Sequence, residues 1–270
     1  MSLNLTIKKY LFAGLFLGVT ISPSHAFFPL ISDDTGTQGK GGNQLEFDYV
    51  FERQTNGALE IDGVALGEDN SVGNFLLSTY TRGLTDNLDI FLGVSRQLSS
   101  TSGWNNTELG LKWVFAGDQS EGWRFAAKPR VILPVSKNMQ KSDLGHAKTN
   151  GGLTLIGSYL TEGAELHLNA GYTSNRSDSL NEEPSQRTNL WSMSVAPVWV
   201  MNDQWKLALD LGLQTNPDKN SQYIGLAEVA MVYSPVKNLQ LGLGVITSPT
   251  INGQRTSRGM TVTTGLTWQF

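Results

Sequence analysis

From residue 43 onward the chain alternates apolar and polar side chains with a period of two. Leu45, Phe47, Tyr49 and Phe51 interleave with Glu46, Asp48 and Glu52. Leu88, Ile90, Leu92 and Val94 interleave with Asp89, Gly93 and Ser95, and Leu109, Leu111, Trp113 and Phe115 with Glu108, Gly110 and Lys112. The same pattern recurs around His167 and Asn169, around Lys206 and Asp210, and in the last eleven residues. Such a period sends apolar groups to one face of a sheet and polar groups to the other. It predicts an all-β chain of 12 strands: 43–54, 71–82, 88–97, 104–115, 123–133, 151–161, 164–173, 188–200, 205–214, 222–233, 239–246 and 260–270. No stretch after Phe27 carries a helical period. The connections alternate too. Those at 55–70, 98–103, 134–150, 174–187, 215–221 and 247–259 are mostly long, polar and rich in Gly or Asn, whereas 83–87, 116–122, 162–163, 201–204 and 234–238 are short. Sorting by parity predicts an antiparallel up-and-down transmembrane β-barrel, with short turns on the periplasmic side and long loops outside.

Residues 1–26 break the pattern. Lys8 and Lys9 precede the apolar run Tyr10–Ile21, and Ser24-His25-Ala26 follows it. This is the layout of a secretory signal peptide, with cleavage expected after Ala26. The run is too short for a permanent span, which needs about 20 apolar residues. Three parts are therefore expected: the leader 1–26, an N-terminal segment 27–42 that is either periplasmic or lumenal, and the barrel 43–270. Composition fits export to a bacterial (Gram-negative) outer membrane. With 39% hydrophobic residues, the chain has the content expected when one strand face meets lipid and the other water. There is no cysteine, so neither disulfides nor a Cys-based metal or redox site is possible. The net charge of -4 becomes -6 once Lys8 and Lys9 leave, which argues against nucleic-acid binding.

Aromatic positions supply an independent check. Trp113, Trp123, Trp199, Trp205 and Trp268 flank short turns or the C-terminus, and Trp104 and Trp191 lie near strand starts after long loops. Amphipathic rings favour membrane boundaries, so these seven with Phe270 form the expected aromatic girdle. The closing Thr267-Trp268-Gln269-Phe270 is the kind of final strand that outer-membrane assembly machinery reads. Pro129 and Pro197 fall inside expected strands; proline lacks a ladder donor, so a bulge or an unpaired carbonyl is expected at each. If Leu84–Asn87 form the second turn, Arg82 would face Asp89 across the hairpin.

Several segments together resemble a known family. Pro29-Leu30-Ile31-Ser32-Asp33-Asp34-Thr35-Gly36-Thr37-Gln38-Gly39-Lys40 with Leu45-Glu46-Phe47, Gly83-Leu84-Thr85-Asp86-Asn87-Leu88, Glu108-Leu109-Gly110-Leu111-Lys112-Trp113, Ala127-Lys128-Pro129, Leu166-His167-Leu168-Asn169-Ala170-Gly171-Tyr172 and Tyr233-Ser234-Pro235 occur in order. This set is similar to transporter-like outer-membrane barrels labelled "MetA-pathway of phenol degradation". Leu133-Pro134-Val135-Ser136 departs from the Pro-Thr-Gly expected there. The resemblance implies a channel or transporter associated with aromatic or other hydrophobic compounds. The expected function is passive diffusion of small solutes of that kind through a narrow charged lumen. A closed structural or surface-interaction barrel is the alternative, and an outer-membrane hydrolase a distant third.

The polar face carries the chemistry. Glu46, Asp48 and Glu52 form an acidic stripe; Arg124, Lys128 and Arg130 form a basic one beside Lys112. Placing Arg or Lys on the lipid face at mid-bilayer costs about 2–4 kcal/mol, so these groups are expected to line the interior. Asp89, Glu108, His167, Asn169, Lys206 and Asp210 share that phase. Opposed stripes either set up a transverse field or pair and seal the lumen. Asp33 and Asp34 could plug the lumen against the basic stripe, or sit in a periplasmic turn. Ser158 should pair with His167 across the Glu162-Gly163 turn, the start of a nucleophilic site, but the pair points inward and no third residue orients the imidazole. His146 is expected to be a solvated loop residue. No enzyme activity, cofactor or metal site is expected. The expected partners are outer-membrane lipid, the assembly machinery acting through the Phe270 strand, and an unidentified small solute.

Overall fold

The computed structural model describes residues 29–270, except 55–58, 62–63, 67–71, 100, 118–120, 179–185, 218, 220–221, 249, 252–253 and 256–258. The leader and its cleavage point lie outside the described residues. Twelve long strands follow one another: β1 Asn43–Gln54, β2 Val72–Thr85, β3 Leu88–Gln97, β4 Glu108–Ala116, β5 Gly122–Ile132, β6 Asn150–Leu160, β7 Ala164–Ser174, β8 Asn189–Val200, β9 Trp205–Thr215, β10 Tyr223–Val236, β11 Leu239–Thr247 and β12 Gly259–Gln269. Each pairs antiparallel with the next, and β12 returns to β1. Closure leaves no sheet edge, so every strand can satisfy its backbone groups inside a bilayer. The seam is finished by Asn43 and Phe270, which exchange backbone hydrogen bonds at 3.0 Å.

The alternation places side chains as expected. On β1, Gln44, Glu46, Asp48, Val50 and Glu52 are buried inside while Phe47 and Tyr49 face out. The outer wall exposes Leu92, Leu111, Phe125, Leu155, Leu207, Val229, Leu243 and many similar residues. That continuous apolar surface is the signature of a lipid-facing barrel. Trp113, Trp123, Trp199 and Trp268 are exposed on it near the short-turn end, and Trp104 and Trp191 toward the other. They cluster with other rings: Trp205 with Tyr233 (centroids 4.4 Å apart), Trp268 with Phe270 (4.6 Å) and Trp191 with Tyr172 (4.8 Å).

Three of four local expectations change. β2 runs to Thr85, and a bulge between Gly83 and Thr85 sets Gly83 opposite Asp89 and Arg82 opposite Ile90. Arg82 therefore stays outside, donating to Asn43 at 2.8 Å. The reason is steric: a Cβ at residue 83 would lie 1.7 Å from the Gly39 carbonyl oxygen, so only glycine lets the N-terminal segment pass. Second, the break expected at each proline takes the form of unpaired positions in the ladder with no shift of register. The β4–β5 ladder skips from Gly110–Arg130 to Trp113–Ala127, and the β8–β9 ladder from Val195–Leu211 to Val198–Ala208. Third, the loop after β5 holds a short helix, α1 Lys137–Lys141, capped by the Ser136 side chain accepting from the Met139 N–H. Fourth, His146 is partly buried there, and its backbone N–H donates to Asn106 Oδ1 at 2.7 Å. Burial lowers its pKa.

Candidate functional site

Residues 29–39 lie inside the barrel and form a strap across the lumen, which decides between plug and tail, and Lys40 and Gly41 are exposed where the chain turns into β1. An irregular segment there must find partners for its backbone N–H groups, and the wall supplies them. Leu30 packs against Ala196, Val198, Ala208, Ala230 and Val232, and Ile31 against Ile224, Leu226 and Ile246. This part of the wall, on β8–β11, is apolar inside as well as outside. Ile31 N donates to Glu228 Oε2 (3.1 Å) and Ser32 N to Asp210 Oδ2 (2.6 Å). Asp33 is clamped by Asn169, which accepts from its N–H (2.9 Å) and donates to its carbonyl (2.8 Å). Thr35 N donates to Ser158 Oγ and Gln38 N to both Asp89 carboxylate oxygens. Lys40 N reaches Asp86 before the chain enters β1.

Two like-charged pairs anchor the strap. Lys112 on β4 falls opposite Lys128 on β5, within the interval where the ladder skips. Like charges directly opposed on one sheet face destabilise each other, and Asp33 lies between them. Lys112 Nζ is 2.8 Å from Asp33 Oδ1 and 3.1 Å from Asp34 Oδ1, while Lys128 Nζ holds Asp33 Oδ2. Across the lumen, Asp210 on β9 opposes Glu228 on β10. Both are fully buried, and both accept N–H groups from the strap.

All thirteen lumen positions read from the alternation face inward. Glu46 accepts from Gln44 Nε2 at 2.6 Å; Arg130 lies 3.9 Å from Glu108 and donates to Thr173; Arg124, Asp48, Glu52 and Asp89 are buried. Two wall acids escaped the sequence reading. Glu165 shares the phase of His167 and pairs with Lys206 at 2.6 Å, so the period could have found it. Glu228 is flanked in its own phase by Leu226 and Ala230, where both faces are apolar and the phase is hidden. The Ser158–His167 pair forms as expected, Oγ to Nδ1 at 2.9 Å, but the absence of a third residue does not hold: Glu165 Oε2 lies 3.3 Å from His167 Nε2. Ser158 and His167 are fully buried and the serine hydroxyl receives the Thr35 N–H. The triad is thus part of the strap's seat.

The strap divides the interior. A cavity lies on the β1–β5 side, lined among others by Glu46, Asp48, Asp89, Phe91, Lys112 and Lys128. A second is lined by Arg130, Thr154, Thr173, Ser192 and Gln214; Ile31 and Asp33 border both. On the lipid side of the same wall, Leu153, Leu155, Tyr172, Trp191, Met193 and Tyr223 form an apolar groove of about 690 Å³, and Ser192 and Gln214 border groove and second cavity alike.

A family model described as "MetA-pathway of phenol degradation" matches residues 32–264. No curated protein matches the chain. Among solved structures, the COG4313 outer membrane channel from Pseudomonas putida F1 is similar, with 14% identity, a TM-score of 0.65 and coverage of 88% of this chain and 98% of that one. The NanC porin (9% identity, TM-score 0.56) and the KdgM porin in complex with disordered oligogalacturonate (11%, 0.54) share the fold; each alignment covers 83% of this chain, with 98% and 99% of theirs.

Proposed function

Because the chain belongs to the family described as "MetA-pathway of phenol degradation", we propose that it is an outer-membrane channel for small hydrophobic or aromatic solutes, held shut at rest by the strap. In this reading residues 1–26 are removed on export, and the Phe270 strand is what the assembly machinery takes up. One observation carries the channel reading. The strap that separates the two cavities is joined to the wall by side chains and packing up to Lys40, and by backbone hydrogen bonds only at its end, between Gly41–Gly42 and Gly83, so its lumenal part can move without unpairing any barrel strand. Polar groups guide the solute along the lumen, and the charged stripes orient it. The apolar groove behind Ser192 and Gln214 supports a hydrophobic solute, since it offers a lipid-facing surface next to the inner cavity. The density of contacts along the strap favours the second reading, a permanently closed structural barrel.

Planar-bilayer conductance and liposome swelling separate the two. The channel reading expects low, intermittent current from the full protein and sustained current from an Asp33→Asn/Asp34→Asn variant that migrates as a folded barrel in detergent gels. Silence from both, with no solute uptake, overturns it in favour of the closed barrel.

A further inference from the structure

We propose that Lys112 and Lys128 form a carboxylate-binding site whose resting occupant is Asp33, and that the transported solute is a small aromatic carboxylate that takes Asp33's place. The inference rests on the channel reading above and names its substrate class. The two ammonium groups project from opposed positions on neighbouring strands, on the lumenal face. Without an anion between them they repel. Asp33 supplies the anion that bridges them, each of its two oxygens meeting one lysine, while Asp34 adds a contact to Lys112 alone. Charge-assisted contacts to both oxygens are the strong form of carboxylate recognition.

The rest of the wall decides which solutes can use the site. Glu46, Asp48, Asp89 and Glu108 line the same cavity, so simple addition of an anion is opposed. Exchange is different. A carboxylate that replaces Asp33's leaves the charge between the lysines unchanged, and an uncharged solute cannot make that exchange. The opposed pair Asp210–Glu228 offers no such entry, because it borders neither cavity and is fully buried. The aromatic part follows from Phe91. It lines the cavity on the lumenal face of β3, with its ring centroid 4.9 Å from Lys128 Nζ. A carboxylate held by Lys128 therefore brings its own ring beside that of Phe91, where offset stacking is favourable.

The test uses the full protein in detergent and in planar bilayers, with benzoate, acetate and benzyl alcohol as probes. The chain has no cysteine, so Thr35→Cys reports strap displacement through maleimide labelling of a residue that is fully buried at rest. Benzoate should speed labelling and raise open-channel current. Acetate should need higher concentrations, and benzyl alcohol should do neither. Lys128→Met should weaken benzoate binding, read by calorimetry, by about tenfold or more, the loss of one charge-assisted contact. Equal responses to benzoate and benzyl alcohol, or an unchanged benzoate affinity in Lys128→Met, would overturn the inference while a conducting protein leaves the channel reading standing. If no variant conducts, the channel reading falls, and calorimetry still decides whether the lysine pair binds the carboxylate.

Discussion

Asp210 and Glu228 face each other across β9 and β10 as two fully buried carboxylates. Among the described residues, neither has a lysine or arginine as a hydrogen-bond partner; each instead accepts a backbone N–H of the strap, from Ser32 and Ile31. The barrel therefore sets two carboxyl groups side by side in its wall, and the strap supplies the N–H groups that bond to them. Removing an acceptor and relieving the crowding should have opposite effects. Asp210→Ala deletes the acceptor of both the Ser32 N–H and its hydroxyl, contacts to a charged group that are worth about 1.5–3 kcal/mol each. It should speed maleimide labelling of Thr35→Cys severalfold or more. Glu228→Gln keeps an oxygen for Ile31 and removes one of two crowded carboxyl groups, so labelling should stay slow and the melting temperature should hold or rise.

Gly83→Ala tests the crossing of strap and wall. The new Cβ would collide with the Gly39 carbonyl, backbone against backbone, with no flexible group to yield. Overpacking of this kind costs about 1–3 kcal/mol. The expected outcome is a lower unfolding temperature in detergent gels together with faster Thr35→Cys labelling. An unchanged strap in this variant would mean the crossing is looser than its geometry.

The outer loop after β5 should loosen in mild acid. Burial lowers the His146 pKa, so the unfolded loop binds the proton more readily than the folded one. The stability that neutral His146 lends the loop is complete above its ordinary value of about 6.5 and declines as pH falls below it. Leu144, buried beside it, can be replaced by cysteine as a reporter. Labelling at pH 5.5 should exceed that at pH 7.5 after correction for thiol reactivity, and His146→Gln should flatten the difference.

Lipid-facing and lumen-facing positions should respond differently to charge. Leu243, exposed in the middle of β11 between Met231 and Thr264, meets acyl chains. Leu243→Arg should cost about 2–4 kcal/mol in reversible unfolding from lipid vesicles. Gln240, one of the lumenal positions of the same strand near its end, should accept arginine at a much smaller cost. Equal penalties would contradict the assignment of faces.

The alternation of Leu45 to Glu52 was enough to place the acidic stripe, because a strand sends side chains to two faces by geometry alone. The same held for Asp89, Lys112, Lys128 and Asp210. Glu228 was illegible for a physical reason: where the strap packs, the lumen is apolar, and a strand apolar on both faces has no readable phase. Arg82 was misplaced by a bulge whose cause, the carbonyl of Gly39, lies more than forty residues away along the chain. The third member beside Ser158 and His167 depended on Glu165 turning back toward the imidazole, a choice of side-chain conformation that spacing does not contain.

What the sequence by itself determined is the barrel: strand number, the side faced by residues of alternating strands, the belt of rings and the closing strand, all consequences of local periodicity and of a bilayer's intolerance for unpaired backbone. What only the tertiary structure decided is the position of residues 29–42. Their composition suits a wet turn as well as a buried strap. The decision came from groups brought together by closure, the opposed lysines on β4–β5 and the opposed carboxylates on β9–β10, which need a carboxylate and N–H groups between them.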